Sequence, residues 1–384
     1  MDLEARIIAL LTYCILLLLS VFGIVKLHMK YIKFILISYL IGLSVMAFSY
    51  APMPSADLYR LIPIMNWYAQ MSIDELLDLI RNSNASTPGE AIYYYLIGQL
   101  GNDGFLAGIT AFIVYGICFS ILYDSYKRNK INKKHLALVL FLFMSRGLFL
   151  IIISNVRTGL SLAIVFWCVY QEMVNQRGIL KNLPLYLIAC SLHTIGQIVF
   201  VIRLFFENIY LHKNNIRIWN FIFSLILTLG ITYAGVKYGV FEKLSGKANN
   251  YLIKFSTGTG YTYFWEAIIN WYFIGIYIYI LKIRNKLRLC CDKKDEYNKF
   301  NKIKALILIL LLIDMIAFFI EYNFFYRLGW FLSMLYIPML IIVFRISEEK
   351  QLYSAKLYNT IMLSSLFALL LECLRGDLCG LKFW

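Results

Sequence analysis

Apolar runs of close to twenty residues recur along this chain, near 7–25, 34–51, 104–123, 136–153, 158–174, 218–236, 263–281, 305–320, 327–344 and 357–373. About 20 apolar residues wound as a helix reach across the hydrocarbon core of a bilayer, so each run predicts a membrane-crossing helix. The first run is followed by Lys26, Lys30 and Lys33, not by a small-residue cleavage site, and is read as a retained helix.

Of the 384 residues, 61% are hydrophobic and 15% charged, against roughly 25% charged in a soluble domain. A length that would allow two or three soluble domains is therefore read otherwise, because such domains would expose apolar patches that aggregate. The expectation is a single polytopic membrane domain over 1–384, all-α, with about 10–12 transmembrane helices.

The net charge of +15 comes from 37 basic against 22 acidic residues. Basic residues gathered on one face of a soluble domain would suggest nucleic acid. Here they sit in short loops: Lys26/Lys30/Lys33, Lys127 to Lys134, Arg177/Lys181, a basic loop at 282–304, and Arg345/Lys350/Lys356. That is the positive-inside pattern, which predicts that all five loops are cytoplasmic and argues against a nucleic-acid partner. Counting crossings between them works only if one segment within 183–281 crosses twice or not at all, and we read the apolar stretch 183–206 as the one that enters and returns. We place the apex of that broken or re-entrant pair at Ser191-Leu192-His193-Thr194. The long loops 52–103 and 237–262 then lie on the outer, periplasmic face, together with the 153–157 turn, His193 and residues 321–327.

That outer face holds most of the polar residues that solubility does not explain. The step Ser154-Asn155-Val156-Arg157-Thr158-Gly159 puts a guanidinium at a helix mouth. Its planar fork of donors suits a phosphate or pyrophosphate; snorkelling to the interface is the plainer alternative. Asn155 and Thr158 beside it favour a site. His193, flanked by Ser191, Thr194 and Gln197, is an ionisable group within an apolar segment, which marks it as a functional candidate.

Arg327 follows Asn323-Phe324-Phe325-Tyr326. Asp314 and Glu321, seven residues apart, are expected on one helical face about 10.5 Å apart along the axis, where Arg327 either neutralises them or binds an anion. Asp57 and Arg60 are i,i+3 neighbours on a short helix, and an exposed pair of that kind is worth under about 1 kcal/mol. Pro88-Gly89-Glu90 precedes Tyr93-Tyr94-Tyr95; such rings suit sugar faces and also build membrane-interface belts. Lys243 and Lys247 lie in 237–262 and are placed to attract negative charge.

Cys14, Cys118, Cys168 and Cys190 lie in apolar runs and read as small hydrophobes. Cys290/Cys291 and Cys373/Cys379 show no Cys-x-x-Cys spacing, and the four histidines offer neither His-x-x-x-His nor His-Glu-x-x-His. No metal is expected.

Taken in order, Asp57-x-x-Arg60, Pro88-Gly89-Glu90 before a tyrosine-rich helix, Asn155-x-Arg157 opening a helix, His193 some 36 residues later and Tyr326-Arg327-Leu328 resemble the EpsG-like branch of Wzy-type bacterial polysaccharide polymerases. The helix-opening arginine matches at Arg157-Thr158-Gly159-Leu160-Ser161-Leu162-Ala163, and the helix ending in histidine at Ile188-Ala189-Cys190-Ser191-Leu192-His193. Thr158 departs from the glutamine usual in the family, which puts a role for that position in doubt.

The resemblance implies a glycosyltransferase in the bacterial inner membrane that joins undecaprenyl-pyrophosphate-linked repeat units, donor and acceptor, at the periplasmic face, without cofactor or metal. Membrane lipid and a polysaccharide chain-length regulator are the other partners it suggests. The residues fit that chemistry, with His193, Glu90 and Asp57 in that order for the acceptor hydroxyl. Arg157, Arg327, Arg60, Asn155, Lys243 and Lys247 would hold the pyrophosphate and substrate. An O-antigen ligase differs only in its acceptor. A lipid-linked oligosaccharide flippase or exporter would favour internal repeats and a polar path through the bilayer, and neither is evident. An O-acyltransferase would need a histidine deep in a conduit, which His193 alone can mimic.

Overall fold

The apolar runs fold as helices wherever they are described. The computed structural model describes residues 2–54, 56–82, 87–206, 261–287, 294–349, 354–375 and 382–383. The run 218–236, most of the 237–262 loop with Lys243 and Lys247, and Cys290, Cys291 and Cys379 lie outside the described residues.

Two long helices open the chain, α1 (Asp2–Lys26) and α2 (Ile32–Phe48). Three short ones follow, α3 (Asp57–Ala69), α4 (Ile73–Asn82) and α5 (Pro88–Gly98), so the segment 52–103 is largely helical. Then come α6 (Gly104–Asn129), α7 (Lys133–Ser145), α8 (Leu148–Ser154), α9 (Val156–Met173), α10 (Ile179–Leu192) and α11 (Thr194–Phe206). Beyond the undescribed stretch lie α12 (Tyr261–Leu287), α13 (Lys294–Ile320), α14 (Tyr322–Glu349) and α15 (Ser354–Arg375). The basic stretch 282–304 is thus helical at both ends. No strand occurs among the described residues beyond one antiparallel bridge, Tyr50 to Phe383.

Six described helices have the length and apolarity to cross a membrane: those in α1, α2, α6, α12, α14 and α15. The chain is an all-α, multi-pass membrane protein. Within it α14 is the central post, with 89% of its apolar window buried, whereas α1 buries only 28% of its own and presents Leu3, Leu11, Leu18 and Phe22 outward. In water such a face would drive aggregation; against acyl chains it meets a matching solvent. Packing inside relies on small residues and tyrosine hydroxyls. Gly108 lets α6 approach the Phe48 backbone of α2, and Tyr13 Oη donates to the Met144 carbonyl at 2.8 Å, tying α1 to α7.

The run 136–153 departs from the single straight helix expected of it. It forms α7 and α8, bent by 53° at Arg146-Gly147. Gly147 takes φ +67, a left-handed conformation open to glycine, and an added Cβ there would lie 2.7 Å from the Glu372 carboxyl group. The sequence signal was the Arg-Gly step inside an otherwise apolar run.

The stretch 183–206 folds back on itself as a hairpin of two short apolar helices. His193, with extended backbone (φ −160, ψ 145), separates α10 from α11. Gln197 donates to the Cys190 carbonyl at 3.0 Å, and Tyr186 stacks on Phe200 at 4.3 Å, so the two legs run antiparallel. At the feet, Glu172 of α9 meets both Asn182 (3.1 Å) and Arg203 (2.9 Å), all three buried. At the apex, Ser161 donates to the Ala189 carbonyl at 2.8 Å. Gly196 is what permits this closeness, since an added Cβ would sit 2.1 Å from Ser161 Oγ and 2.7 Å from the Ala189 oxygen. Gly196→Ala is therefore expected to destabilise by about 1–3 kcal/mol, as overpacking does. Thermal unfolding of the purified protein in detergent checks this, and adding Ser161→Ala should recover only part, because the Ala189 carbonyl stays in the way.

Loops carrying three of the basic clusters meet at one end of the bundle. Lys133 Nζ donates to the Leu27 carbonyl at 2.6 Å, Arg345 reaches Asn129, and Glu348 accepts from the Asn132 backbone at 3.0 Å and pairs with His135. The candidate site lies at the opposite end.

Candidate functional site

Two helix starts converge at that opposite end. Pro88 opens α5 with its ring-fixed φ, and Glu90 falls in the first turn, where the helix dipole favours a carboxylate. Thr87 Oγ1 donates to Glu90 Oε2 at 2.9 Å, and Arg157 Nη1 donates to Glu90 Oε1 at 2.6 Å. Arg157 is the second residue of α9, aimed by the break at Asn155 (φ −104, ψ 57). The Asn155 amide donates back to the Ile151 carbonyl at 3.2 Å, so its side chain shapes the turn before Arg157. The side chains of Arg157 and Glu90 are 32% and 16% exposed, shielded yet reachable by a ligand.

The hairpin apex closes the other side. An added Cβ at Gly89 would lie 2.2 Å from Ser191 Oγ, so only glycine lets α5 rest on the apex beside His193. His193 is buried, and its Nδ1 accepts from the Ile195 backbone N–H at 3.1 Å. A neutral ring with Nδ1 engaged in this way carries its proton on Nε2.

Tyr68 of α3 and Tyr94 of α5 face each other at 6.4 Å between ring centroids, within the field of Glu90 and Arg157. Burial raises both hydroxyls above the ordinary tyrosine range, so they remain neutral groups able to donate hydrogen bonds. Asp57 opens α3, pairs with the exposed Arg60 and lies within electrostatic reach of Arg157.

Asp57, Glu90, the Asn155–Arg157 step and His193, four places remote in sequence, thus come together. Arg327 sits half-buried in the second turn of α14, at the same end of the bundle. The expected face of Asp314 and Glu321 is not formed, because α13 ends at Ile320. Glu321 instead caps α14, accepting from the backbone N–H groups of Asn323 and Phe324, while Asp314 is fully buried toward Arg146.

Arg146, not foreseen as a site residue, is the polar centre of the bundle. Its guanidinium donates to Asn270 Oδ1, the Gly329 carbonyl, Ser333 Oγ and Tyr277 Oη. Asn270 in turn donates to the Phe325 carbonyl at 3.2 Å, two residues before Arg327. Glu172 and Arg203 at the hairpin feet were also missed; both lie in apolar stretches where a charge demands a partner. Among the described residues, no three His, Cys, Asp or Glu side chains gather as a metal would require.

These features define a multi-pass membrane protein in which Asp57, Glu90, Arg157 and His193 converge at one end of a helical bundle. The sequence model of the EpsG family matches residues 53–374, a span that contains every described candidate residue, and the chain belongs to the EpsG family. Membership supports a polysaccharide-polymerase-like, glycosyltransferase-like role in the membrane. Neither the curated proteins nor the solved structures offer a match.

Proposed function

We propose that this protein polymerises undecaprenyl-pyrophosphate-linked oligosaccharide repeat units at the periplasmic face of the bacterial inner membrane. The observation that carries the reading is the meeting of Arg157, Glu90 and the His193 apex at the end of the bundle opposite the basic loops. Positively charged loops stay in the cytoplasm, which favours a periplasmic site.

In the step envisaged, an acceptor sugar hydroxyl bonds to the donor's anomeric carbon. The bond from that carbon to the diphosphate oxygen breaks, and its electron pair leaves with the lipid diphosphate. Arg157 meets the charge that builds there, with Arg327 and Arg60 as further cations and Asn155 holding the turn. Lys243 and Lys247 would draw the anionic carrier inward. Glu90 takes the hydroxyl proton, with Asp57 as the neighbouring alternative. His193, whose Nδ1 lone pair is engaged by Ile195, suits donation from Nε2 to an oxyanion better than proton removal. The half-buried ring of Tyr68 gives a sugar an apolar face and a hydroxyl donor, with buried Tyr94 behind it. The ion pairs in use need no cofactor, and a chain-length regulator would act from outside this site.

The test is gel analysis of surface glycan in a bacterium lacking the gene. A lipid core capped by a single repeat unit, with the ladder restored by the wild-type gene, supports polymerisation. Accumulated lipid-linked units with no capped core would favour a ligase or flippase. A second expectation concerns sidedness: a cysteine placed at His193 or Glu90 in a chain stripped of its own cysteines should react with a membrane-impermeant thiol reagent added outside. Labelling only after the cytoplasmic side is exposed would overturn the orientation.

A further inference from the structure

We propose that Glu90 is an internal anion which occupies Arg157 in the empty site and is displaced from it by the diphosphate of the donor. This rests on reading Arg157 as the diphosphate-binding group. The guanidinium that would receive the donor is already bonded, Nη1 to Glu90 Oε1 at 2.6 Å, with both side chains mostly shielded. A carboxylate and a phosphate offer the same oxygen acceptors to a guanidinium, so the two anions compete for one fork.

Glu90 is built to let go. Its other oxygen is held independently by Thr87 Oγ1 at 2.9 Å, and its place in the first turn of α5 keeps the helix dipole as a second support. Neither depends on Arg157, so the carboxylate remains stabilised after the exchange.

The exchange also has a mechanical side. Gly89 rests on Ser191 at the hairpin apex, and His193 follows two residues on. Drawing Glu90 off Arg157 therefore removes the tie between the start of α5 and the start of α9 beside the apex. The freed carboxylate faces the acceptor side only when a donor is bound, which ties proton removal to donor occupancy and leaves the empty site idle.

The test uses the full chain in detergent or nanodiscs, with inorganic pyrophosphate as the probe. Glu90→Gln keeps the size of the side chain and its Thr87 bond but removes the competing charge. Calorimetry is expected to show pyrophosphate binding roughly fivefold tighter in Glu90→Gln than in wild type, because apparent affinity scales with the fraction of protein whose binding group is open. The same variant should lose the glycan ladder, so binding and turnover move in opposite directions. A supporting group that merely shaped the site would weaken both.

Equal or weaker binding by Glu90→Gln overturns the exchange while leaving Arg157 as the diphosphate ligand, provided Arg157→Ala abolishes binding. Binding untouched by Arg157→Ala overturns the parent reading as well. A second measurement needs no variant: in the wild type, pyrophosphate should increase amide hydrogen exchange over residues 87–93. Increased protection there would mean that Glu90 stays on Arg157, and the proposal would fall.

Discussion

Replacing Arg157 with alanine is expected to abolish polymerised glycan while the protein remains in the membrane at its normal level. Loss of one preorganised donor to a developing oxyanion lowers turnover on the order of 100-fold to 1000-fold. Here the loss also strips Glu90 of its charged partner and leaves Asp57 and Glu90 as an unbalanced acidic pair. Arg157→Lys separates charge from geometry. Lysine keeps the positive charge but not the planar fork, so it should restore a short ladder and not a full one. Complementation of the null strain, read on a glycan gel with membrane levels checked by immunoblot, decides the matter. A full-length ladder from Arg157→Ala would remove Arg157 from the chemistry and return it to the plainer role of an interfacial arginine.

That the arginine could be singled out from sequence at all has a simple cause. A charged group in an apolar chain is costly unless it has a task or a partner, so each such group stands out against its background. Arg157, His193 and the hairpin of 183–206 were legible in this way, the last because placing the basic loops on one side required a segment of 183–281 to cross twice or not at all. Partners were not legible. Glu90 lies 67 positions from Arg157, and nothing in either local sequence records the 2.6 Å contact. The bend at Arg146-Gly147 was marked only by that dipeptide in a run apolar enough to pass as one straight helix; Gly147 supplies the left-handed backbone, and the acceptors on α12 and α14 explain why Arg146 sits there. Asp314 and Glu321 were misread because helical periodicity was carried one residue past the end of α13.

The same reasoning makes Arg146 the position with the largest expected effect on stability. Its side chain is buried, lies 4.8 Å from the Phe273 ring centroid, and donates to acceptors on both α12 and α14. Nearby, both oxygens of buried Asp314 have no hydrogen-bond partner among the described residues, and Arg146 is the cation whose field reaches them. Removing the guanidinium takes the donor from Asn270 Oδ1 and leaves Gly329, Ser333 and Tyr277 only the hydrogen bonds they make to one another. Buried hydrogen bonds to a charged group are worth about 1.5–3 kcal/mol each, and several are lost together here. Arg146→Ala is therefore expected to lower the Tm of the detergent-solubilised protein by several degrees and to reduce its level in the membrane. Adding Asp314→Leu should recover part of the loss, because a buried carboxyl with neither a hydrogen-bond partner nor the nearby cation is replaced by an apolar side chain, and the recovered part measures the coupling between the two groups. The consequence reaches the candidate site along two routes. One is α8, which runs from this bend to the turn that aims Arg157; the other is Asn270, which holds the Phe325 carbonyl two residues before Arg327. If Arg146→Ala unfolded at the wild-type temperature, the network would be decoration on a core held by apolar packing alone. If instead the double variant regained stability but not the glycan ladder, Arg146 would be shown to hold the two arginines of the site in place as well as the bundle together.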